Sequence, residues 1–228
     1  MKRFWTEVNV DGGEVRLDGR PVRTLGRAPL ALPAPALAEA VAEEWRAVGE
    51  TLDPRAMPLT GLANAAIDRI APDPAAFAAG LAAYGESDLL CYRAADPADL
   101  VARQAAAWDP ILGWARERYD VHVETTAGIV HRAQPPATLA RLGEAVASRS
   151  AFALAGLSPV VTTTGSLIGA LALAEGAISA DALWAAAYVD EDWQAEQWGT
   201  DPLAQQARAN KRRDYDAGVR FLSLAAGS

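Results

Sequence analysis

Apolar and polar residues alternate along the first part of the chain, in the pattern of half-buried β-strands. Residues 11–13 contain a Gly-Gly turn, and residues 15–17 and 21–24 continue the alternation beyond it. The proline-flanked residues 29–33 are predicted to form a short extended segment. A small antiparallel sheet is therefore expected at the start of the chain. Four residues share one side of its first strand: Phe4, Thr6, Val8 and Val10.

The spacing of apolar residues changes to a helical period at about residue 36. A second helix is expected to end before Pro72, and a long third helix extends from about residue 97 to residue 119. Pro110 lies inside this third helix and is expected to kink or divide it, because proline lacks the backbone N–H that a helix needs. The first helix is predicted from apolar residues at i, i+4, i+8 and i+11: Leu37, Val41, Trp45 and Val48. Helical spacing also places three tryptophans in the core: Trp45, Trp108 and Trp114.

A β-hairpin is predicted next, with residues 121–124 and 129–131 paired around a turn at residues 125–128. The chain after Pro135 has helical periodicity and no further strand pattern. Apart from a long uncharged segment, three helices are predicted there: residues 138–148, 179–198 and 202–222.

Capping residues mark the starts of the last two helices. Ser179 is suited to be an N-cap, and Pro202 follows Asp201 at a first helical turn. The order of elements predicts an α+β fold with two domains. Residues 1–90 form a β-rich α+β N-terminal domain, and residues 91–228 form a mainly helical C-terminal domain.

The uncharged segment from residue 150 to residue 174 has the length of a membrane span. Pro159 and the Thr/Gly/Ser-rich residues 162–166 interrupt it, and Leu and Ile do not dominate its composition. We therefore expect two buried helices joined at a proline turn, and no membrane insertion.

Composition excludes some classes of partner. Of the 228 residues, 21 are basic and 29 are acidic, which gives a formal net charge of -8. No segment is rich in Lys and Arg, so nucleic acid is not an expected partner. Cys91 is the single cysteine and cannot form an internal disulfide or a thiolate cage, which fits a reducing compartment. The first residues do not form a signal peptide, and the folded domain is expected to begin directly.

Sequence motifs for common enzyme chemistry are absent. The chain has neither a phosphate-binding loop nor a G-x-G-x-x-G motif, and residues 85–89 lack the second glycine of a nucleophile elbow. His122 and His131 lie on opposite arms of the predicted hairpin, with only Glu124 nearby as a further ligand, so we expect structural or surface roles for both. Cys91 is expected to be a small buried apolar residue. No cofactor, metal or small-molecule substrate is expected.

The segment VDEDWQAEQWGTD, residues 189–201, combines acids with Trp193 and Trp198. Projected as part of the helix over residues 179–198, it places Glu191 on an aromatic face with Trp184, Tyr188 and Trp198. A carboxylate among aromatic residues needs a partner. Three interpretations stay open: an internal ion pair with an arginine, a general acid with a raised pKa, or a recognition surface. The segment contains five carboxylates: Asp190, Glu191, Asp192, Glu196 and Asp201.

Ordered motifs over nearly the whole chain resemble the Atp-twelve family, the assembly chaperones for the catalytic F-one sector of the ATP synthase. Each motif alone is weak, but their number and order make the resemblance specific. They are LDGRPVRT (17–24), L-x-L-P (30–33), A-x-E-W (42–45), MPLTGLANAAID (57–68), SDLLCYRA (87–94), Q-x-x-x-WDP-x-L-x-W (104–114), TGSL (164–167) and DEDWQAEQWG-x-D (190–201).

The resemblance implies a chaperone, not an enzyme. It implies binding of the unassembled alpha subunit on the surface that later contacts the beta subunit, without nucleotide or metal. The family's functional acid corresponds to Glu191, or to Asp190 if the register differs by one; Glu196 is a less secure match, whereas Gln194 and Trp198 match directly. Mitochondrial relatives carry a targeting extension, whereas the first matching residue here lies only three residues after Met1, so a bacterial cytoplasmic member or a processed form is expected.

Two other functions compete with this one. A hydrolase could use Glu191 with Asp190 or Asp192 as acid and base, although adjacent carboxylates on a helix point about 100° apart and converge poorly on one bond. A general holdase without a dedicated client would bind unrelated aggregating proteins.

Overall fold

The structure is a computed structural model, and it describes residues 2–128 and 130–226. The chain forms two compact units that alternate along the sequence. The first unit comprises Met1–Pro74, Arg149–Pro159 and Asp216–Ser228, and the second comprises Ala75–Ser148 and Val160–Tyr215. The division into two domains at residues 1–90 and 91–228 stays a prediction.

The first unit begins with a three-stranded antiparallel sheet, as the alternating pattern predicts. Its strands are β1 (Val8–Asp11), β2 (Glu14–Leu17) and β3 (Arg20–Pro21), in that spatial order. Val10 pairs with Val15 across the first turn. The α+β fold class is confirmed, because this sheet precedes a predominantly helical chain.

Two helices follow the sheet in the first unit. Helix α1 (Pro35–Arg46) buries the predicted apolar stripe, including Trp45. Helix α2 (Pro58–Ala65) leads into a π-helical turn, Ala66–Ile70. The Glu44 carboxylate on α1 accepts the N–H groups of Leu59 and Thr60 at 2.8 Å and 2.7 Å. It therefore satisfies free donors at the start of α2 and ties the two helices together.

Two of the family-like motifs meet in this unit. Thr24, from LDGRPVRT, donates its hydroxyl to Asp68 Oδ1 at 2.6 Å, and the Gly26 N–H donates to Asp68 Oδ2 at 2.8 Å. Asp68 ends the motif MPLTGLANAAID. The side chain of Asp68 thus fixes a turn that lies more than forty residues away in sequence.

Helices form most of the second unit. Helix α4 (Ala98–Tyr119) is continuous through Pro110, so the proline does not divide it. Its residue Trp108 is buried and donates its indole N–H to the Ala186 carbonyl at 2.7 Å, whereas Trp114 is only half-buried. The other helices are α3 (Pro74–Ala82), α5 (Pro136–Ala147), α6 (Ala151–Thr164), α7 (Leu167–Ala174), α8 (Ala180–Ala187), α9 (Val189–Trp198) and α10 (Pro202–Ala225), some of which extend into the first unit.

The predicted hairpin around residues 125–128 is wrong. Strand β5 (Thr126–Ala127) instead pairs in parallel with β4 (Tyr92–Arg93). The Gln134 side chain bonds both the N–H and the carbonyl of Glu124, at 3.0 Å and 2.8 Å. A side-chain amide therefore satisfies backbone groups that a hairpin partner would have paired. Ile129 lies outside the described residues.

The break in the uncharged segment is also not at its proline. Helix α6 continues through Pro159, and the chain turns at Gly165, whose φ is 67°. Ser166 then caps α7 by accepting the Gly169 N–H at 2.9 Å. Glycine adopts this left-handed conformation at little cost, and serine is a preferred N-cap. Within residues 2–128 and 130–226, no helix combines the length and apolarity that crossing a membrane requires.

The predicted helix over residues 179–198 is two helices. Ser179 caps α8 by accepting the Ala182 N–H at 3.2 Å, which confirms its predicted role. Tyr188, with φ −114° and ψ 18°, separates α8 from α9. Its ring stacks on Trp184 at 4.1 Å between centroids, and its hydroxyl donates to the Thr163 carbonyl at 3.3 Å. These contacts hold a non-helical residue where the apolar spacing indicates a continuous helix.

Candidate partner-binding site

The acidic segment forms α9 and the turn that leads into α10. Three acids lie in the first turn of α9, where negative charge complements the helix dipole. Gly199, with φ 80°, ends the helix. Asp201 then accepts the Ala204 N–H at 3.2 Å and Pro202 begins α10, which confirms the predicted helix start.

Two of the predicted site acids face α4. Gln104 donates its side-chain amide to Asp190 Oδ1 at 2.6 Å, while its own oxygen accepts the Ala94 N–H at 2.7 Å. Glu196 forms an ion pair with Arg103 at 2.7 Å, and about half of each side chain is exposed. Gln104 is buried, so its bond to Asp190 fixes the position of α9 on α4.

Asp192 faces α10 and pairs with Arg208. The guanidinium of Arg208 also lies 4.9 Å from the ring centroid of Tyr188. The hydrogen bond to Asp192 raises the pKa of Arg208 above its usual value. Burial raises the pKa of the Tyr188 phenol, and the nearby Glu191 carboxylate raises it further. This cluster links α9 to α10 through an acid, a base and an aromatic ring.

Glu191 has a different environment. Its side chain is exposed, and it forms no hydrogen bond or ion pair with any residue that the structure describes. It lines a cleft of about 480 Å³ between α9 and α10, together with Gln194, Trp198 and Tyr188. The structure therefore brings Glu191, Gln194 and Trp198 together and places Asp190 and Glu196 on another face of the helix.

Apolar and cationic groups complete the cleft. Ala195 on α9 faces Ala204 and Ala207 on α10, and Trp198 is 75% exposed beside it. Arg208 and Lys211 line the α10 side. These two cations were not among the predicted site residues. Their spacing of three on one predicted helix was visible in the sequence, but nothing in the sequence indicates that this helix packs against the acidic one.

The geometry does not favour enzyme or metal chemistry at the other candidate residues. Burial raises the pKa of the Cys91 thiol to about 12, so it is a poor nucleophile. His131 contacts Tyr92 and Glu86, and His122 contacts Glu124, so the two histidines do not share a site. No cluster of three or more His, Cys, Asp or Glu side chains suited to a metal ion is found in the part of the chain that the structure describes.

Known proteins are similar to this chain in sequence and in fold. A model of the ATP12 chaperone protein family matches residues 2–116. The crystal structure of ATP12 from Paracoccus denitrificans is similar with a TM-score of 0.93 and 44% sequence identity, over 98% of each chain. A protein of Agrobacterium tumefaciens is similar with a TM-score of 0.92 and 41% identity, over 98% of this chain and 85% of that one. The similarity therefore includes the α9–α10 region, which lies beyond the residues that the family model matches.

Proposed function

Because the chain belongs to the ATP12 chaperone family, we propose that it is an assembly chaperone of the ATP synthase that binds the unassembled alpha subunit. It holds this subunit until the beta subunit replaces it, and so prevents aggregation of the exposed subunit interface. The proposed location is the bacterial cytoplasm.

One observation carries the proposal: an unpaired carboxylate lies in a cleft beside an exposed tryptophan. Glu191 forms no hydrogen bond or ion pair in the described chain, although its charge lies near that of Arg208, and Trp198 is 75% exposed. Exposed tryptophans are favoured anchors in protein interfaces, and a neighbouring charge selects the orientation of the partner. We therefore assign client contacts to Glu191, Gln194 and Trp198.

Asp190 and Glu196 lie outside the client surface in this proposal. Both already contact α4, through Gln104 and Arg103 respectively. The buried Gln104 contact positions α9 so that its other face stays available to the client, whereas the half-exposed Arg103 pair contributes little. This separation favours Glu191 over Asp190 as the acid that binds the client.

A hydrolase centred on Glu191 has less support. Asp190 accepts a hydrogen bond from Gln104, and Asp192 pairs with Arg208, so neither of the proposed second carboxylates lines the cleft. Asp201 does line it, but its carboxylate caps α10. An acid and base pair acting on one bond needs two carboxylates directed at the same space.

Co-purification tests the proposal. The tagged chain is co-expressed with the alpha and beta subunits from the same genome, as wild type, as Glu191→Lys and as Glu196→Lys. The two variants reverse a charge on the same helix, but only Glu191 lines the cleft. We expect wild type and Glu196→Lys to recover alpha selectively, and Glu191→Lys to lose at least about tenfold in recovery.

Each outcome has a distinct meaning. Recovery of neither subunit by a folded wild type would contradict the proposed client. Equal recovery by wild type and Glu191→Lys would remove Glu191 from the interface. Equal protection of unrelated aggregating proteins would favour a general holdase.

A further inference from the structure

We propose that Lys211 is a second recognition charge in the α9–α10 cleft, where it binds a carboxylate of the client. This inference rests on the proposed function. It predicts that the client segment in the cleft carries a basic side chain for Glu191 and an acidic side chain for Lys211, with an apolar residue between them.

The neighbouring cations of α10 already have partners. Arg208 pairs with Asp192, Arg212 pairs with Asp181 at 2.7 Å, and Arg213 donates to the Asn210 side chain. Lys211 differs from them, because its ammonium forms no ion pair or hydrogen bond with the residues described in the structure. Its Nζ lies 5.9 Å from the ring centroid of Tyr188. Its positive charge is therefore available at the wall of the cleft.

The acids of α9 show the same contrast. Asp190, Asp192 and Glu196 form hydrogen bonds or ion pairs within the protein, whereas Glu191 forms neither in the described chain. Glu191 and Lys211 line one cleft, yet they do not form an ion pair with each other. The cleft thus holds one acid and one base that form no hydrogen bond or ion pair within the described chain, although Glu191 lies near the charge of Arg208. A complementary partner satisfies both, whereas a partner with a single sign of charge satisfies one and meets repulsion from the other.

The size and lining of the cleft indicate what lies between the two charges. A volume of about 480 Å³ accommodates a few side chains. Alanine methyl groups from both helices form its apolar part, at Ala195, Ala204 and Ala207. A short segment with one apolar residue flanked by opposite charges therefore matches the site. The two charges also fix the direction of that segment, since reversal would place like charges together.

The affinity of the purified chain for the purified alpha subunit tests the role of Lys211. Lys211→Met removes the charge and keeps most of the side-chain length over Tyr188. Arg213→Met is the matched control, because it removes one positive charge from an exposed position on the same helix outside the cleft. We expect Lys211→Met to raise Kd about tenfold, and Arg213→Met to change it less than about threefold.

Lys211→Arg separates charge from packing. We expect this variant to stay within about threefold of the wild-type Kd, and all three variants to unfold at the wild-type denaturant midpoint. Affinity losses of equal size in Lys211→Arg and Lys211→Met would overturn the assignment, since charge would not be the recognised feature. Equal Kd values for Lys211→Met and Arg213→Met would overturn it as well.

Binding of alpha by the wild type distinguishes a failure of this inference from a failure of the proposed function on which it rests. If wild type binds alpha and Lys211→Met binds equally well, only the role of Lys211 fails. If folded wild type does not bind alpha at all, the proposed client fails first.

Discussion

Two carboxylates in the second unit, Asp88 and Glu191, lie in opposite environments. Asp88 is fully buried and accepts the N–H groups of Leu90 at 3.1 Å and Ile168 at 2.9 Å. Glu191 is exposed and has no hydrogen-bonding partner in the described chain. The first acid joins two distant segments of the fold, and the second lies in a cleft open to another molecule.

The difference separates an acid that binds within the protein from an acid that faces a cleft. Asp88 belongs to SDLLCYRA, and its Oδ2 bonds a residue of α7 directly after TGSL. These two motifs therefore form one junction in the core. DEDWQAEQWG contains both kinds of acid, since Asp190 and Asp192 bind within the protein while Glu191 faces the cleft. A motif match alone does not say which role an acid has.

The largest effect is expected when Asp88 is removed. Asp88→Ala leaves at least two buried N–H groups without an acceptor, which costs about 3 kcal/mol in the free energy of unfolding. Equilibrium urea unfolding measures this loss. Glu191→Ala is the control and should change the free energy of unfolding by less than about 0.5 kcal/mol. Similar losses of unfolding free energy in both variants would contradict the assignment of a structural role to Asp88 and not to Glu191.

Stability should also depend on pH through Asp88. Burial raises its pKa from 3.8 to about 6 in the folded protein, despite the N–H donors that lower it. Between these values the folded protein holds a proton that the unfolded chain has lost, so this group's contribution to stability falls as pH rises.

The non-titrating variant Asp88→Asn isolates that contribution. The free energy of unfolding of wild type minus that of Asp88→Asn should fall by about 2 kcal/mol from pH 4 to pH 6 and change little above that range. Urea unfolding of both proteins across this range measures it. A difference that rises with pH would show that the N–H donors outweigh the effect of burial.

Asp190 should show an intermediate effect, because it lies in the same motif as Glu191 but forms a hydrogen bond within the protein. Asp190→Ala leaves the buried Gln104 amide without this acceptor and should cost about 1–2 kcal/mol in unfolding free energy. Urea denaturation measures this cost. An unchanged midpoint together with weaker capture of alpha would instead assign Asp190 to the client interface.

The smallest effect is expected at Glu196. Its ion pair with Arg103 is half exposed, and such pairs contribute little because solvent screens them. Glu196→Gln should change the free energy of unfolding by less than about 0.5 kcal/mol and leave capture of alpha within about twofold. A tenfold loss of capture would extend the client surface to the α4 side of α9.

Helix periodicity located the acidic helix but not all of its surroundings. The projection of residues 179–198 as one helix placed Trp184 and Trp198 on the same side, yet Trp184 is 7% exposed and Trp198 is 75% exposed. The break at Tyr188 separates the two segments, so one projection cannot describe both. The prediction of Glu191 beside Tyr188 and Trp198 agrees with the cleft, because the residues of α9 follow directly after the break.

The sequence by itself determined the α+β order of elements, the helix starts at Ser179 and Pro202, and a helix with several acids. These features depend on hydrophobic spacing and on hydrogen bonds between residues a few positions apart, which the sequence displays directly. Only the tertiary structure decided which of these acids have a hydrogen-bond or ion-pair partner. Gln104 and Arg103 lie more than eighty residues before their partners Asp190 and Glu196. Packing between residues distant in sequence thus decides whether an acid has a partner. The same long-range packing buries Asp88 and so raises its pKa.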